Sequence, residues 1–300
     1  MTPDNHIALE LIRQVRKNRF VIYMLTVYAD DSSDAKRERT FAVAGIMGTQ
    51  EQWDTLEVDW IACTKGKIFH ATDCESDYGD YKDISQENRH SEYKQLTKIL
   101  SQSMMTGFGA IVNLSDYKNC TLDDLKDAPY FHCFLSVVFH FVKWTRLIIP
   151  QQTVKFIFDI NPEIEYSAAY LYDYLIKRPR YRDYTKYMHK QLGFATKEVV
   201  GIQAADLFSH EAMKYCDNLY FAEKKRYTRK SIAELFITDR FKLRYYEKYY
   251  FDNFETKQKE GLRNYREHYS KWLKKYRRQD NAVNRITFNM QIDLIKDFMP

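Results

Sequence analysis

The stretch that decides the fold reads Val21-Ile22-Tyr23-Met24-Leu25-Thr26-Val27-Tyr28-Ala29, followed at once by Asp30-Asp31-Ser32-Ser33. Nine residues rich in β-branched and aromatic side chains, bounded by polar residues, are typical of a buried central strand. Ionised carboxylates at the end of such a strand require a cation, water or another polar partner, because desolvating them alone is costly. The stretch therefore predicts a strand that delivers carboxylates to a site or, alternatively, a strand that ends in a solvated turn.

The composition is that of an ordered globular protein. The 300 residues include nine Gly, six Pro and 16% aromatic residues, and they show no repeat of fixed period. Five scattered cysteines form no CxxC pair, so we expect free thiols and a cytoplasmic location. No apolar run reaches the roughly 18 to 20 residues of a membrane span, so we expect no membrane partner.

Charge is distributed unevenly along the chain. The net charge is +5, but residues 223–280 contain 18 Lys and Arg against nine Asp and Glu. We predict one domain over residues 1–222 and a basic, aromatic-rich helical extension over residues 223–300, packed on or beside it. Four basic side chains of this extension are candidates to bind nucleic acid, namely Lys274, Lys275, Arg277 and Arg278. The alternative is a packing helix with a solvated basic face.

Three strands precede any crossover in the predicted fold. The second and third strands are Thr40–Met47 and Gly107–Val112, and the second is near enough to the first to pair with it antiparallel. A helix begins after the second strand at a capping box formed by Thr49 and Gln52. Its inward face carries Trp53, Leu56, Trp60 and Ile61.

The segment Lys67–Tyr81 collects side chains that are able to bind metals, including His70 and Asp73. It lacks the paired ligands at short spacing that zinc sites use, which argues against zinc. We interpret the segment as a solvated loop. His70 and Asp73 remain candidates to line a site whose main residues come from elsewhere in the chain.

A second apolar strand, Thr153–Asp159, also ends in a carboxylate. It follows an apolar helix from Asp127 to about Leu147, in which we expect His132 and His140 to be packed core residues. A strand, a helix and another strand in this order imply a parallel crossover. The crossover places the strand Thr153–Asp159 beside Val21–Ala29. Asp30 and Asp159 are then expected to meet at the carboxyl edge of the sheet, where α/β proteins bind ligands.

The third acidic position lies in the predicted helix Gly201–Glu211. Its small alanines allow the helix to approach the sheet closely. Gln203, Asp206 and His210 share one helical face because they are three and four residues apart. That face either is exposed to solvent or lines a functional site. The presence of an acid, Asp206, within so apolar a segment favours a functional site.

These motifs together resemble those of domain of unknown function 3800, a family that is similar to ribonuclease H. The resemblance rests on Asp30-Asp31-Ser32-Ser33, Phe69-His70-Ala71-Thr72, Phe158-Asp159 and Gln203-Ala204-Ala205-Asp206-Leu207, and it covers about residues 20–215. The family usually has Asp-Glu-Ser-Gly at the first motif, so Asp31 is a shorter acid here. The resemblance implies an α/β fold with a ribonuclease H-like mixed sheet, in which three antiparallel strands are followed by the parallel crossover, flanked by helices. It also implies a carboxylate cluster of Asp30, Asp159 and Asp206.

The chemistry of such a cluster points to a divalent cation. Converging carboxylates repel one another, and hard oxygen ligands favour Mg²⁺ or Mn²⁺. Two such ions, about 3.5 to 4 Å apart, support phosphodiester hydrolysis. We expect Asp30 to bridge the ions, with Asp159 and Asp206 each completing one side.

Further residues are candidates for the same site. Lys197 is a candidate to contact a phosphate or the charge of the transition state, and His210 to position water or move a proton. The residues considered able to line the site are Asp31, His70, Asp73, Gln203 and Glu211.

Two classes of function follow from the sequence. The leading prediction is a divalent-metal-dependent nuclease that hydrolyses phosphodiester bonds of nucleic acid, DNA or RNA, by a two-metal mechanism. The alternative is a non-catalytic scaffold that kept the fold and binds nucleic acid or a protein. A phosphoryl-transfer domain of receiver or haloacid dehalogenase type fits less well, since the landmarks are too far apart for the first and Ser32 stands where the second requires an acid.

Overall fold

The computed structural model describes residues 24–120, 129–162, 164–222 and 227–251. These residues form an α/β fold in which a six-stranded mixed sheet is flanked by helices. The strands are β1 (Leu25–Ser33), β2 (Thr40–Gly48), β3 (Thr106–Asn113), β4 (Val154–Asp159), β5 (Gly193–Ala195) and β6 (Phe241–Tyr246). Their order across the sheet is β5-β4-β1-β2-β3-β6.

Ten α-helices lie within the described residues. They are α1 (Gln50–Thr64), α2 (Ala71–Ser76), α3 (Gln86–Gln102), α4 (Leu114–Cys120), α5 (Pro129–Ile148), α6 (Glu165–Lys177), α7 (Arg182–Thr185), α8 (Val200–Tyr220), α9 (Lys230–Phe236) and α10 (Lys248–Phe251). Short 3-10 turns occur at Gly79–Tyr81 and Pro179–Tyr181. The expected capping box at Thr49 and Gln52 is present at the start of α1, although Ile61 of that helix is exposed.

The strand pairing confirms the coarse topology predicted from the sequence. β1 pairs antiparallel with β2, and β2 pairs antiparallel with β3. β4 lies beside β1 and runs parallel to it, as the crossover predicted. The pairs β4–β5 and β3–β6 are also parallel.

The first strand ends later than predicted. Asp30 and Asp31 lie inside β1, where they pair with Ala44 and Val43 of β2, and so the expected turn at these residues is wrong. The pairing with β4, in contrast, stops at Ala29. β2, the antiparallel partner, is long enough to continue its pairing with β1 beyond the point where the pairing with β4 ends. Residues 21–23 of the predicted strand lie outside the described residues.

Each face of the sheet carries one long buried helix. α5 packs on one face, where Phe131, Phe134 and Val138 belong to the larger apolar core. α8 packs on the other face, and every residue from Val200 to Met213 is buried. The prediction of a core residue is confirmed for His132, which is buried, whereas His140 is only partly buried and stacks on Phe108. Burial lowers the pKa of both imidazoles to about 3.

The chain after residue 222 differs from the predicted helical extension. Residues 241–246 form β6, which completes the sheet beside β3 and is therefore part of the α/β fold. Its residues Phe241 and Tyr246 are buried in the cores on opposite faces of the sheet. The predicted nucleic-acid-binding residues Lys274, Lys275, Arg277 and Arg278 lie outside the described residues.

Two findings bear on the expected environment of the protein. In the described ranges, no helix is both long and apolar enough to cross a membrane. Cys63, Cys74, Cys133 and Cys216 are free thiols, as expected.

Close contact between α8 and β1 requires glycine at position 201. A Cβ atom there would overlap the ring of Tyr28. We expect Gly201→Ala to lower the free energy of unfolding by about 1 to 3 kcal/mol, as overpacking does, measured by chemical denaturation. The double variant Tyr28→Ala/Gly201→Ala is the control, because removal of the ring should make the added methyl group much less costly. Equal costs of Gly201→Ala with and without the ring would contradict this explanation.

Candidate functional site

Asp30 and Asp159 lie together at the carboxyl edge of the sheet. The last paired residues of β1 and β4 are Ala29 and Phe158, so the two aspartates follow directly on adjacent parallel strands. The side chain of Asp30 is 4% exposed, whereas that of Asp159 is 24% exposed. This edge therefore holds one buried carboxylate and one that solvent reaches.

Asp206 joins them from α8. Glycine and alanine at positions 201, 204 and 205 bring the first turns of α8 close against the sheet. The Oδ2 atom of Asp206 accepts a hydrogen bond of 2.6 Å from the backbone N–H of Ala71. This bond fixes the carboxylate and ties α8 to the start of α2.

Lys197 lies at the centre of the three carboxylates. Its Nζ atom is 2.7 Å from Oδ2 of Asp30, 3.2 Å from Oδ2 of Asp159 and 3.4 Å from Oδ1 of Asp206. Because one nitrogen contacts all three side chains, the aspartates surround a single point. The structure thus brings together four of the predicted site residues, namely Asp30, Asp159, Asp206 and Lys197.

Gln203 supports this centre through hydrogen bonds to the segments around it. Its side-chain N–H group donates to the carbonyl oxygen of Lys197 at 2.7 Å. Its Oε1 atom accepts from the indole N–H of Trp60 at 2.9 Å and from the backbone N–H of Phe69 at 3.1 Å. Gln203 therefore joins the segment that carries Lys197 to the segment that precedes α2.

The cluster holds more negative charge than Lys197 neutralises. Burial raises the pKa of Asp30 well above its ordinary value; Lys197 opposes the shift, while Asp206, Asp31 and Asp159 add to it. Burial likewise raises the pKa of Asp31 to about 6. Burial alone would lower the pKa of Lys197, but attraction by the aspartates, led by Asp206, raises it overall. The ammonium group stays charged and contacts three acidic side chains.

His70 reaches the same site from the start of α2. Its Nε2 atom is 3.7 Å from Oδ1 of Asp206, and its Nδ1 atom is 3.1 Å from Oδ1 of Asp73. The side chain is 34% exposed. The interpretation of this segment as a solvated loop is wrong, because residues 71–76 form a helix and Phe69 is fully buried. The suggestion that His70 lines a site formed elsewhere agrees with its position.

His210 and Glu211 belong to a second ionic cluster. Nε2 of His210 lies 3.1 Å from Oε2 of Glu75, and burial leaves the imidazole 4% exposed. Glu211 is fully buried and accepts hydrogen bonds from Tyr93 at 2.7 Å and Ser231 at 2.6 Å. Arg229 pairs with both Glu211 and Glu75. The contacts of His210 and Glu211 are therefore with this cluster.

Two residues, one beside the carboxylates and one in the second ionic cluster, were not named as site candidates from the sequence. Tyr130, in the first turn of α5, has its pKa raised well above the ordinary value by burial and then by Asp31, Asp30 and Asp159. Glu75 has its pKa lowered to about 2: burial would raise it, but His210 and Arg229 lower it. Glu75 and Arg229 are 154 positions apart in the chain, so only tertiary structure brings them together.

The donor set of the cluster suits an oxygen-preferring divalent cation. Asp30, Asp159 and Asp206 supply carboxylate oxygens, which Mg²⁺ and Mn²⁺ prefer. The surplus of negative charge also favours a cation. Within the described ranges, no group of three or more His, Cys, Asp or Glu side chains is already arranged to hold a metal ion. The point between the aspartates is taken by the Lys197 ammonium group.

The raised pKa of Asp31 predicts a pH dependence of stability. Between about pH 4 and about pH 6 the folded protein holds a proton on Asp31 that the unfolded chain has released. The free energy of unfolding should therefore fall as the pH rises through this range. We expect Asp31→Asn to reduce that fall and to stabilise the protein at pH 7 by about 1 to 2 kcal/mol, measured by urea denaturation at several pH values. The matched control is Asp59→Asn on the exposed face of α1, which should leave the pH profile unchanged. An identical profile for Asp31→Asn and the wild type would contradict the assignment.

Comparison of the chain with protein-family models, with curated proteins and with solved structures finds no match. The chemistry of the site is therefore the basis on which a function has to be proposed.

Proposed function

We propose that this protein is a divalent-metal-dependent nuclease with a ribonuclease H-like fold, which hydrolyses phosphodiester bonds of nucleic acid. The observation that carries the proposal is the convergence of Asp30, Asp159 and Asp206 on one point at the carboxyl edge of the sheet. The aspartates come from two adjacent strands and a helix that are remote in sequence. A cluster of buried like charges is unfavourable to folding, so its presence is better explained by a ligand than by stability.

The arrangement of the sheet supports the same proposal. Three antiparallel strands are followed by a helix and by a strand parallel to the first, which is the order that the resemblance to ribonuclease H implies. The helix that carries Asp206 also packs against β1 as expected. β6 at the far edge is an addition to that order.

The aspartates have distinct roles in this proposal. Asp30, which is more buried than Asp159, would be shared between two Mg²⁺ or Mn²⁺ ions. Asp159 and Asp206 would each complete the ligands of one ion. Bound ions of this kind supply an activated water and stabilise the leaving oxygen. The backbone N–H of Ala71 holds Asp206 in place. Asp31 adds further negative charge beside them.

Lys197 and His70 supply the remaining chemistry. The raised pKa of Lys197 keeps a positive charge at the site, suited to a phosphate oxygen of the substrate. His70 is partly exposed and close to Asp206, so it is better placed than the buried His210 to position water or to move a proton. Substrate binding away from the scissile bond is assigned to the basic residues Lys274, Lys275, Arg277 and Arg278.

A scaffold without catalysis is the second candidate. The observation in its favour is that Lys197 already forms ion pairs with all three aspartates. Such pairs offset part of the repulsion without a metal ion. In this case the fold would bind nucleic acid or a protein through its basic extension and would show no cleavage.

Asp206→Asn separates the enzyme from the scaffold. The amide oxygen still accepts from Ala71 N–H, but one negative charge is lost, so ion binding should weaken while the fold survives. We expect cleavage of labelled single-stranded, duplex and hybrid nucleic acids to fall by orders of magnitude, about 10²-fold or more. Thermal stability without Mg²⁺ should be unchanged or slightly higher, because repulsion is reduced. Added Mg²⁺ should then stabilise the wild type more than the variant.

The matched control is Asp217→Asn, because Asp217 lies on the same helix but pairs with Arg39 at the surface. It should leave both cleavage and stabilisation by Mg²⁺ intact. If Asp206→Asn also left both intact, the catalytic proposal would be wrong and the scaffold would take its place.

The basic extension can be tested separately. Replacing Lys274, Lys275, Arg277 and Arg278 with Gln should weaken nucleic-acid binding and flatten its dependence on salt, by about 0.7 to 0.9 in the logarithmic slope for each lost phosphate contact. Binding is measured by fluorescence anisotropy at several salt concentrations. The control replaces four exposed lysines of the folded domain, Lys65, Lys82, Lys186 and Lys190. An unchanged slope in the first variant would favour a packing helix.

A further inference from the structure

Each buried aspartate of the site has one oxygen on the backbone and the other on Lys197. Oδ1 of Asp30 accepts a hydrogen bond from the N–H of Asp31 at 2.7 Å. Oδ2 of Asp206 accepts from the N–H of Ala71 at 2.6 Å. The other two oxygens, Oδ2 of Asp30 and Oδ1 of Asp206, lie 2.7 and 3.4 Å from Nζ of Lys197. The lysine therefore contacts the oxygens that the backbone leaves free for a cation.

A divalent ion and the ammonium group compete for one position. The same Nζ atom is also 3.2 Å from Oδ2 of Asp159, so it contacts all three aspartates. Mg²⁺ binds its oxygen ligands at about 2.1 Å. An ion bound by the same three oxygens would lie within a few ångströms of the present Nζ position. Two positive charges that close repel strongly where water is largely excluded, so Lys197 has to move when the ion binds.

The side chain of Lys197 can leave the aspartates while its backbone stays in place. Gln203 donates to the carbonyl oxygen of Lys197 at 2.7 Å. Gln203 is itself bonded to Trp60 and Phe69, so this part of the backbone is fixed. The side chain, in contrast, is a flexible four-carbon stem that is 21% exposed. The ammonium group therefore reaches solvent by a rotation of its own stem.

Either cation supplies a counter-charge that the cluster requires. Carboxylates as buried as Asp30 and Asp206 are costly to the fold without a positive partner. Lys197 supplies one positive charge, and a divalent ion supplies two, which reduces the repulsion among the aspartates further. Binding of the ion thus replaces one counter-charge by a stronger one.

We propose that Lys197 is an exchangeable internal counter-ion. It pairs with Asp30, Asp159 and Asp206 in the metal-free protein and competes with the divalent cation for them. The ion displaces the ammonium group, which then becomes available to a phosphate oxygen of the substrate. The affinity for the ion is lowered by the fraction of molecules in which Lys197 occupies the site. This inference rests on the metal-binding part of the proposed function.

The test is isothermal titration of Mn²⁺ into the full-length protein without nucleic acid. Lys197→Met retains most of the apolar stem but removes the ammonium group. It should bind Mn²⁺ at least about tenfold more tightly than the wild type, because the ion no longer has a competitor. Lys197→Arg keeps the positive charge and should bind Mn²⁺ no more tightly than the wild type. The matched control Lys190→Met, at an exposed lysine, should leave the affinity unchanged.

Thermal unfolding followed by circular dichroism provides a second measurement. Without metal, Lys197→Met should melt below the wild type, because the buried aspartates have lost their counter-ion. Mn²⁺ should raise the melting temperature of Lys197→Met by more than that of the wild type, since the ion replaces the missing charge. If the metal-free variant does not fold, Mn²⁺ should restore its folding.

Displacement itself is measured by acetylation of lysines, with the modified positions identified by mass spectrometry. In the metal-free protein, Lys197 is held by three carboxylates and should react slowly. Mn²⁺ at a concentration that saturates the wild type should increase the rate at Lys197 and leave the rate at Lys190 unchanged. A purely long-range effect of the lysine charge on the ion would not change this reactivity.

The inference is overturned if Lys197→Met binds Mn²⁺ no more tightly than the wild type, or if neither protein binds it. It is also overturned if saturating Mn²⁺ leaves the acetylation of Lys197 unchanged. Cleavage by the same wild-type protein is scored separately. Exchange without cleavage would support the counter-ion and contradict the nuclease, whereas cleavage without displacement of Lys197 would do the reverse.

Discussion

The attraction between one ammonium group and the surrounding carboxylates is the interaction on which this structure depends. Asp30 is almost fully buried, and Asp31, Asp159 and Asp206 add negative charge beside it. Lys197 offsets part of that charge by contacting three of the aspartates. In the proposed nuclease, the remaining negative charge of this site attracts a divalent cation.

The hydrogen bonds around the cluster explain why it can form at all. Gln203 connects the segment of Lys197 to Trp60 and Phe69, so the lysine is held where the strands end. Ala71 N–H holds Asp206. These polar contacts are buried, which makes each of them worth more than a similar contact in water and makes their loss costly. The site is thus built into the interface between α1, α2 and α8.

A second buried network supports α8 one turn further along. Glu211 is fully buried and satisfied by Arg229, Tyr93 and Ser231, and Arg229 also pairs with Glu75. Because Glu75 is on α2, this network fixes the helix whose first residues carry Ala71 and approach Asp206. Removal of one partner would leave an uncompensated buried charge. Because the network holds α2 in place, it also stabilises the geometry of the carboxylate site.

Much of the fold was determined by the sequence alone, because strand periodicity, the capping box at Thr49 and two strands that end in carboxylates are local features. The strand ends predicted that Asp30 and Asp159 meet, whereas the cluster that includes Asp206 was implied by the resemblance to domain of unknown function 3800. Sequence could not show where pairing stops, so Asp30 was predicted in a turn although β2 extends the strand beyond it. The sequence also could not show that His210 pairs with Glu75, or that a strand, β6, forms within a basic segment. Both features depend on contacts between residues more than 100 positions apart. Local chemistry fixed which side chains were available, and the packing of α8 and the pairing of β6 decided which of them meet.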